Sequence, residues 1–190
     1  FYNYLKDSFD ALYEEGKTPL ILILDRITDV RNFGAICRTA HCTGVDAILI
    51  PEQNFAAINA DAVKTSAGAL HEIKICRTWN LKKSIYFLKE SGIQIIACTE
   101  KSKNEIKNIG YLVPTAVIMG SEYDGISPEF LKICDKKVNI PINNNIASLN
   151  VSVATGIMLY EILQQRNNKW AGLLNGLILH TITYYIKIET

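Results

Sequence analysis

Short apolar runs recur along the chain: Leu20-Ile-Leu-Ile-Leu24, Ala47-Ile-Leu-Ile50, Ile93-Gln-Ile-Ile-Ala97, Thr115-Ala-Val-Ile-Met119 and Val138-Asn-Ile140. Unbroken runs of this length read as strands buried on both faces, the signature of a parallel sheet covered by helices. An alternating stretch, His71-Glu-Ile-Lys-Ile75, adds a further strand. Between them the spacing predicts helices over 33–42, 81–90, 127–134 and 150–166, and a short helix and turn over 59–69. Asn32 reads as the N-cap of the first helix and Gly44 as its stop, while Pro128 sits at the first turn of a later one. Strand, helix, strand over 20–50 is a βαβ unit with a right-handed crossover. The pattern therefore predicts an α/β fold, a parallel sheet flanked by helices.

Polar residues and glycines gather where the strands end. Three segments stand out: Asn32-Phe-Gly-Ala-Ile-Cys-Arg38, Met119-Gly-Ser-Glu-Tyr-Asp-Gly-Ile-Ser127, and Ile140-Pro-Ile followed by Ser148-Leu-Asn-Val-Ser-Val-Ala154. Open α/β sheets build ligand sites at the carboxyl ends of their strands, so the three segments are expected to border one pocket.

A length of 190 residues with 48% hydrophobic and 21% charged residues suits one well-cored domain with small appendages. The net charge of +1 gives no global argument for nucleic acid, so an RNA-binding reading must rest on motifs or a local patch. Cys37, Cys42, Cys76, Cys98 and Cys134 form no Cys-x-x-Cys pair, and read as reduced, mostly buried thiols of a cytoplasmic protein. The apolar run over 177–186 is too short for a membrane span; a packed extension or strand fits better, and no membrane partner is expected.

Each candidate residue has a plain reading beside a functional one. Gly34 and Arg38 can be a tight loop-to-helix junction and a surface arginine, or a helix N-terminus and guanidinium fork that together hold a phosphate. Glycine at 120 with Glu122 can be a turn, or a backbone open to a ligand beside a carboxylate. Ser148 can cap the last helix, with Asn150 in its solvated first turn. Gly156 inside that helix suggests close packing against another element. His41 and His71 lack ligand spacing, and no metal site is expected. The chain has no Gly-x-Gly-x-x-Gly turn, phosphate loop or nucleophile elbow, which removes the usual support for dehydrogenase, NTPase and hydrolase readings. A small-molecule enzyme on an ordinary Rossmann-like sheet would need a glycine-rich turn after Leu24, where Asp25-Arg-Ile-Thr-Asp-Val-Arg31 stands instead.

The order and spacing of the three segments resemble the SpoU family of RNA ribose 2′-O-methyltransferases, within the SPOUT superfamily of knotted, S-adenosylmethionine-dependent enzymes. The resemblance covers about 20–166 and is strongest over Ser148-Leu-Asn-Val-Ser-Val-Ala-Thr-Gly156; the 59–69 segment is similar to the branch that modifies a guanosine of 23S ribosomal RNA. It implies a C-terminal deep trefoil knot, a homodimer beside the cofactor site, and S-adenosylmethionine as cofactor. It also implies catalytic roles for Asn32, Arg38, Glu122, Ser148 and Asn150, and cofactor contacts around Thr99, Gly120, Ile140 and Leu149. In this picture 19–166 is the catalytic domain, 1–18 the end of a linker from an RNA-binding domain, and 167–190 an extension outside the family pattern. A transfer-RNA ribose methyltransferase and a non-catalytic RNA-binding protein of the same fold are the alternative readings.

Overall fold

A computed structural model of the chain describes residues 14–143 and 148–168. Six strands form one sheet: β1 (Leu20–Leu24), β2 (Ala47–Pro51), β3 (Lys74–Thr78), β4 (Gln94–Cys98), β5 (Thr115–Met119) and β6 (Lys136–Val138). Their order is β3-β2-β1-β5-β4-β6, and every pairing is parallel. The helices are α1 (Val30–Cys42), α2 (Ala60–Thr65), α3 (Ala69–Glu72), α4 (Leu81–Glu90), α5 (Pro128–Ile133) and α6, over 151–168.

The continuous apolar strands are buried on both faces, as their patterning requires. On one face Leu22 and Leu24 pack with Phe33 and Ile36 of α1 and with Met158 and Ile162 of α6. On the other Ile21 and Ile23 pack with Ile85 and Leu88 of α4 and Phe130 of α5. The chain runs outward from β1 through β2 to β3, then crosses to the other half of the sheet. The order of strands thus reverses between β1 and β5, which is where a parallel sheet opens a crevice at its carboxyl edge.

Arg166 fastens α6 to this frame. Its guanidinium donates to the carbonyls of Thr18 (2.7 Å), Tyr111 (3.1 Å), Pro19 (3.2 Å) and Val113 (3.3 Å), tying the last helix to the entry of β1 and the approach to β5.

Several local expectations are corrected. The cap of α1 is Asp29, whose Oδ1 accepts from the amides of Arg31 (2.7 Å) and Asn32 (2.8 Å), so the helix starts earlier and Asn32 lies in its first turn. A carboxylate there satisfies free N–H groups and meets the positive end of the helix dipole. His71 and Glu72 belong to α3, and β3 begins three residues later than the alternation suggested. The last strand ends at Val138 rather than Ile140. A Cβ on Gly156 would meet only the Thr39 methyl at 3.6 Å, ordinary contact rather than close packing. Of the free cysteines Cys37 and Cys76 are buried, Cys98 and Cys134 are half-buried, and Cys42 is exposed. The expectations for 1–13 and for the apolar tail lie outside the described residues. Among the described residues no helix is long and apolar enough to cross a membrane.

Candidate active site

The register of the sheet sets the site. Leu24 pairs with Met119, so the chain leaves β1 at Asp25 and β5 at Gly120 side by side. Asp25 is buried; its Oδ2 accepts from the Ser127 amide at 2.7 Å and its Oδ1 from Arg26 Nε at 3.2 Å. Arg26 takes a left-handed backbone (φ 57°) and donates onward to Asp124 Oδ2 (3.1 Å) and the Gly125 carbonyl (3.2 Å). Ser121 and Gly125 exchange backbone hydrogen bonds of 3.1 and 3.0 Å across the turn. A Cβ on Gly120 would strike the backbone of Gly125 and Ile126 at 2.2–2.5 Å. Glycine at 120 therefore closes the turn that carries Glu122, whatever a ligand requires of it. Gly34 plays a similar steric part, since a Cβ there would meet the Ala62 carbonyl and the Thr65 Cβ at 2.7 Å; it lets α1 and α2 approach.

That turn delivers Glu122 to two asparagines. Asn32 Nδ2 donates to Glu122 Oε1 at 2.7 Å and Asn150 Nδ2 to the same oxygen at 2.8 Å, while Asn150 also donates to Asn32 Oδ1 at 3.1 Å. Asn150 Oδ1 faces the other way and accepts from the Ser152 hydroxyl (2.6 Å) and the amides of Ser152 (3.0 Å) and Val153 (3.4 Å). Asn150 is thus the cap of α6, the role the sequence suggested for Ser148. Glu122 takes two donors on one oxygen, leaving Oε2 without a partner among the described residues and open to a hydroxyl or cation.

Beside this cluster lies a cleft of about 390 Å³. Thr99, Gly120, Ile140 and Leu149, the four expected cofactor contacts, all line it, with Glu122 and Ser148 at the same wall. Its lining mixes apolar side chains (Met119, Ile126, Ile142) with hydroxyls and carboxylates, and its size is ordinary for a small-molecule site. The residues fit S-adenosylmethionine, which needs an apolar slot for its base and polar groups for its ribose and amino acid. A larger hollow of about 590 Å³, lined by Asn104, Leu131 and Lys137 at the β6 edge, carries none of the expected residues.

Arg38 stands apart. It is exposed on α1, with no hydrogen bond or ion pair to any described residue, six positions past Asn32 and so about 9 Å along the helix axis. Sequence reasoning missed Asp25, Arg26 and Asp29. The signal available was a carboxylate directly after an unbroken apolar strand, at a position too buried to be idle.

The profile of the SpoU rRNA Methylase family matches residues 19–160. The chain belongs to this family. Among its relatives, the 23S rRNA (guanosine-2′-O-)-methyltransferase RlmB of Yersinia pestis is 34% identical over 87% of this chain and 68% of its own length. RlmB of Blochmanniella floridana is 40% identical over 78% of this chain and 58% of its own. The chain spans about two thirds of the length of the curated relatives it matches. Among solved structures, the A. aeolicus TrmH/SpoU tRNA modifying enzyme superposes with a TM-score of 0.74 at 35% identity, covering 80% of this chain and 78% of that one. An AdoMet-bound rRNA methyltransferase from Sinorhizobium meliloti gives 0.72 at 28% identity, covering 77% and 56%. The parallel sheet flanked by helices is thus that of SpoU methyltransferases, and the Asn32–Glu122–Asn150 cluster falls wholly inside the matched span.

Proposed function

We propose that this SpoU domain transfers a methyl group from S-adenosylmethionine to the ribose 2′-oxygen of a guanosine in 23S ribosomal RNA. The observation that carries the reading is the Asn32–Glu122–Asn150 cluster on the wall of a cleft suited to the cofactor. The names of the RlmB relatives support the substrate.

Bound in the cleft, S-adenosylmethionine supplies an electrophilic methyl carbon. The chain's residues must place a ribose 2′-OH in line with it and remove the hydroxyl proton. Glu122, held by two amides, keeps its second oxygen for the ribose or the cofactor. Asn32 and Asn150 fix that carboxylate, and Ser148 lines the same cleft, where its hydroxyl helps orient the nucleotide. Arg38, free of protein partners, holds the phosphate beside the target ribose with its planar fork. Its assistance is electrostatic, with the proton passing by way of the phosphate. Thr99, Gly120, Ile140 and Leu149 border the cofactor.

The same reading includes a C-terminal trefoil knot, a cytoplasmic location, and a homodimer. Support for the dimer is the exposed apolar stripe Leu149, Val153, Ile157 and Tyr160 along one side of the α6 segment. Such a run at helical spacing suits a partner surface. The A. aeolicus tRNA modifying enzyme, similar over four fifths of this chain, supports transfer RNA as the second substrate reading.

Calorimetric titration with S-adenosylmethionine, S-adenosylhomocysteine and NAD, followed by methyl transfer to 23S and transfer-RNA transcripts, tests it. Leu149→Trp, which fills the cleft from its rim, serves as the blocked variant, since any side chain at 120 would break the turn. Binding of the first two ligands alone and methylation of 23S transcripts is the expected result. Methylation of transfer RNA only would move the substrate, and RNA binding without methyl incorporation would make the chain a non-catalytic binder.

A further inference from the structure

The carboxyl edge of the sheet carries two bare aromatic side chains. Trp79, directly after β3, is 80% exposed, and Tyr123, in the turn after β5, is 93% exposed. A tryptophan so uncovered is unusual in a domain whose other large apolar side chains are mostly interior. The register puts the two on one edge: Thr78 pairs with Pro51, and by the adjoining ladders Pro51, Asp25 and Gly120 stand at the same level across β2, β1 and β5. Trp79 is one step beyond that level, as is Arg26 above Asp25. Three strand spacings separate β3 from β5, about 14 Å. At a stacked rise of about 3.4 Å that is some four nucleotides, and fewer in an extended strand.

The charges around Trp79 favour a polyanion. Arg77 precedes it by two residues and Lys83 follows by four; both are exposed and neither is paired with a carboxylate among the described residues. Lys82 is engaged with Glu129 at 3.3 Å. From the neighbouring strand comes Glu52, whose amide donates to the Thr78 carbonyl; it is the acidic group on this approach.

We propose that Trp79 is a stacking platform for an unpaired base of the RNA substrate, two to four nucleotides from the methylated ribose, with Arg77 and Lys83 on the backbone phosphates. The inference rests on the RNA methyltransferase reading and deepens it: the recognised segment is single-stranded, because only an unstacked base offers its face to an indole. Tyr123 marks the catalytic end of this track.

The test uses the tryptophan itself. The chain has one other, Trp170, so the Trp170→Phe variant reports Trp79 fluorescence alone. Titration with a 12-nucleotide oligouridylate quenches it saturably, and a blunt A-form duplex of equal length quenches it far less. Trp79→Ala weakens oligouridylate binding about fivefold or more, the lower range for one base stack, and raises the KM for RNA with kcat and S-adenosylmethionine affinity unchanged. Trp79→Phe restores most of the affinity. Unquenched fluorescence, equal affinity of Trp79→Ala, or equal response to the duplex overturns the proposal; Trp79 would then face another protein surface. Failure of the wild-type chain to methylate any RNA would instead strike the enzymatic reading, and the stacking measurement would stand apart from it.

Discussion

Asn32 and Asn150 lie 118 positions apart in sequence and meet at 3.1 Å, each donating to the same oxygen of Glu122. The contact joins the first turn of α1, the cap of α6 and the turn after β5 into one polar junction. It is formed by protein groups alone, so the centre is organised before RNA arrives, the condition under which positioning lowers a barrier. Replacing Asn32 by aspartate tests this. A second carboxylate would stand against Glu122, and the repulsion between like charges at that distance makes one of the pair take up a proton at a higher pH than a lone carboxylate would. Asn32→Asp should lose at least about tenfold in transfer at pH 8, the weight of about 1.4 kcal/mol. Because the proton returns as pH falls, the deficit narrows toward pH 5; a pH-rate profile parallel to wild type would contradict the geometry.

Arg38 gives the opposite combination. Its side chain touches no protein group that its removal would strand, so Arg38→Ala should change unfolding free energy by no more than about 0.5 kcal/mol. Transfer should be abolished while S-adenosylmethionine affinity stays the same. Substantial turnover in this variant would remove Arg38 from the reacting centre.

Much of the fold could be read from the pattern, and the reason is local. Leu20–Leu24 and Thr115–Met119 are continuous apolar runs that only a doubly covered parallel strand accommodates, and both form as read. His71-Glu-Ile-Lys-Ile75 alternates, yet its first two residues close α3 and pairing with β2 begins at Lys74. Alternation does not reveal where a neighbouring strand starts. Three of the four expected cofactor contacts, Thr99, Gly120 and Ile140, border one cleft because they follow strand ends, and Leu149 reaches it from just ahead of α6; the sharing of Glu122 by two asparagines is a long-range relation that no spacing contains. At Gly156 the expectation of tight packing fails, and Gly156→Ala should stabilise the isolated chain by about 0.5–1 kcal/mol, measurable by urea denaturation.

Asp25 holds the Glu122 turn from below through the Ser127 amide and Arg26. Asp25→Ala strands a buried amide and loosens a guanidinium, at a cost of about 3 kcal/mol. Asp25→Asn keeps an acceptor for Ser127 and should cost less than half of that. Since Gly120 to Ile126 line the cleft, the alanine variant should also weaken S-adenosylmethionine binding. Equal affinity in a folded Asp25→Ala protein would show that the turn holds its shape without this anchor.

Burial pushes the Cys37 and Cys98 thiols up to about 12 from 9.0. The folded chain therefore holds these protons in the range where the unfolded chain releases them. Stability is fully present below pH 9 and declines as pH rises toward 12, by about 1 kcal/mol per thiol at pH 10. Urea midpoints at pH 8 and 10 measure the decline, and Cys37→Ala should remove about half of it. The same burial makes Cys42, the exposed thiol among the described cysteines, the first to react with iodoacetamide. Faster labelling of Cys37 would mean that α1 opens readily from the sheet.

The stripe Leu149, Val153, Ile157 and Tyr160 leaves apolar surface in water, with Val153 at 51% and Tyr160 at 58% exposure. In the proposed homodimer a second copy covers this face, and the two-fold pairing commonest among homo-oligomers would place both copies of it together. Val153→Lys puts a charge at its centre without touching the core, so it should shift sedimentation from dimer to monomer while leaving the circular dichroism of the domain intact. Because Leu149 belongs to both the stripe and the cleft, the monomer should bind S-adenosylmethionine more weakly. A dimer that survives Val153→Lys would place the subunit contact on another face.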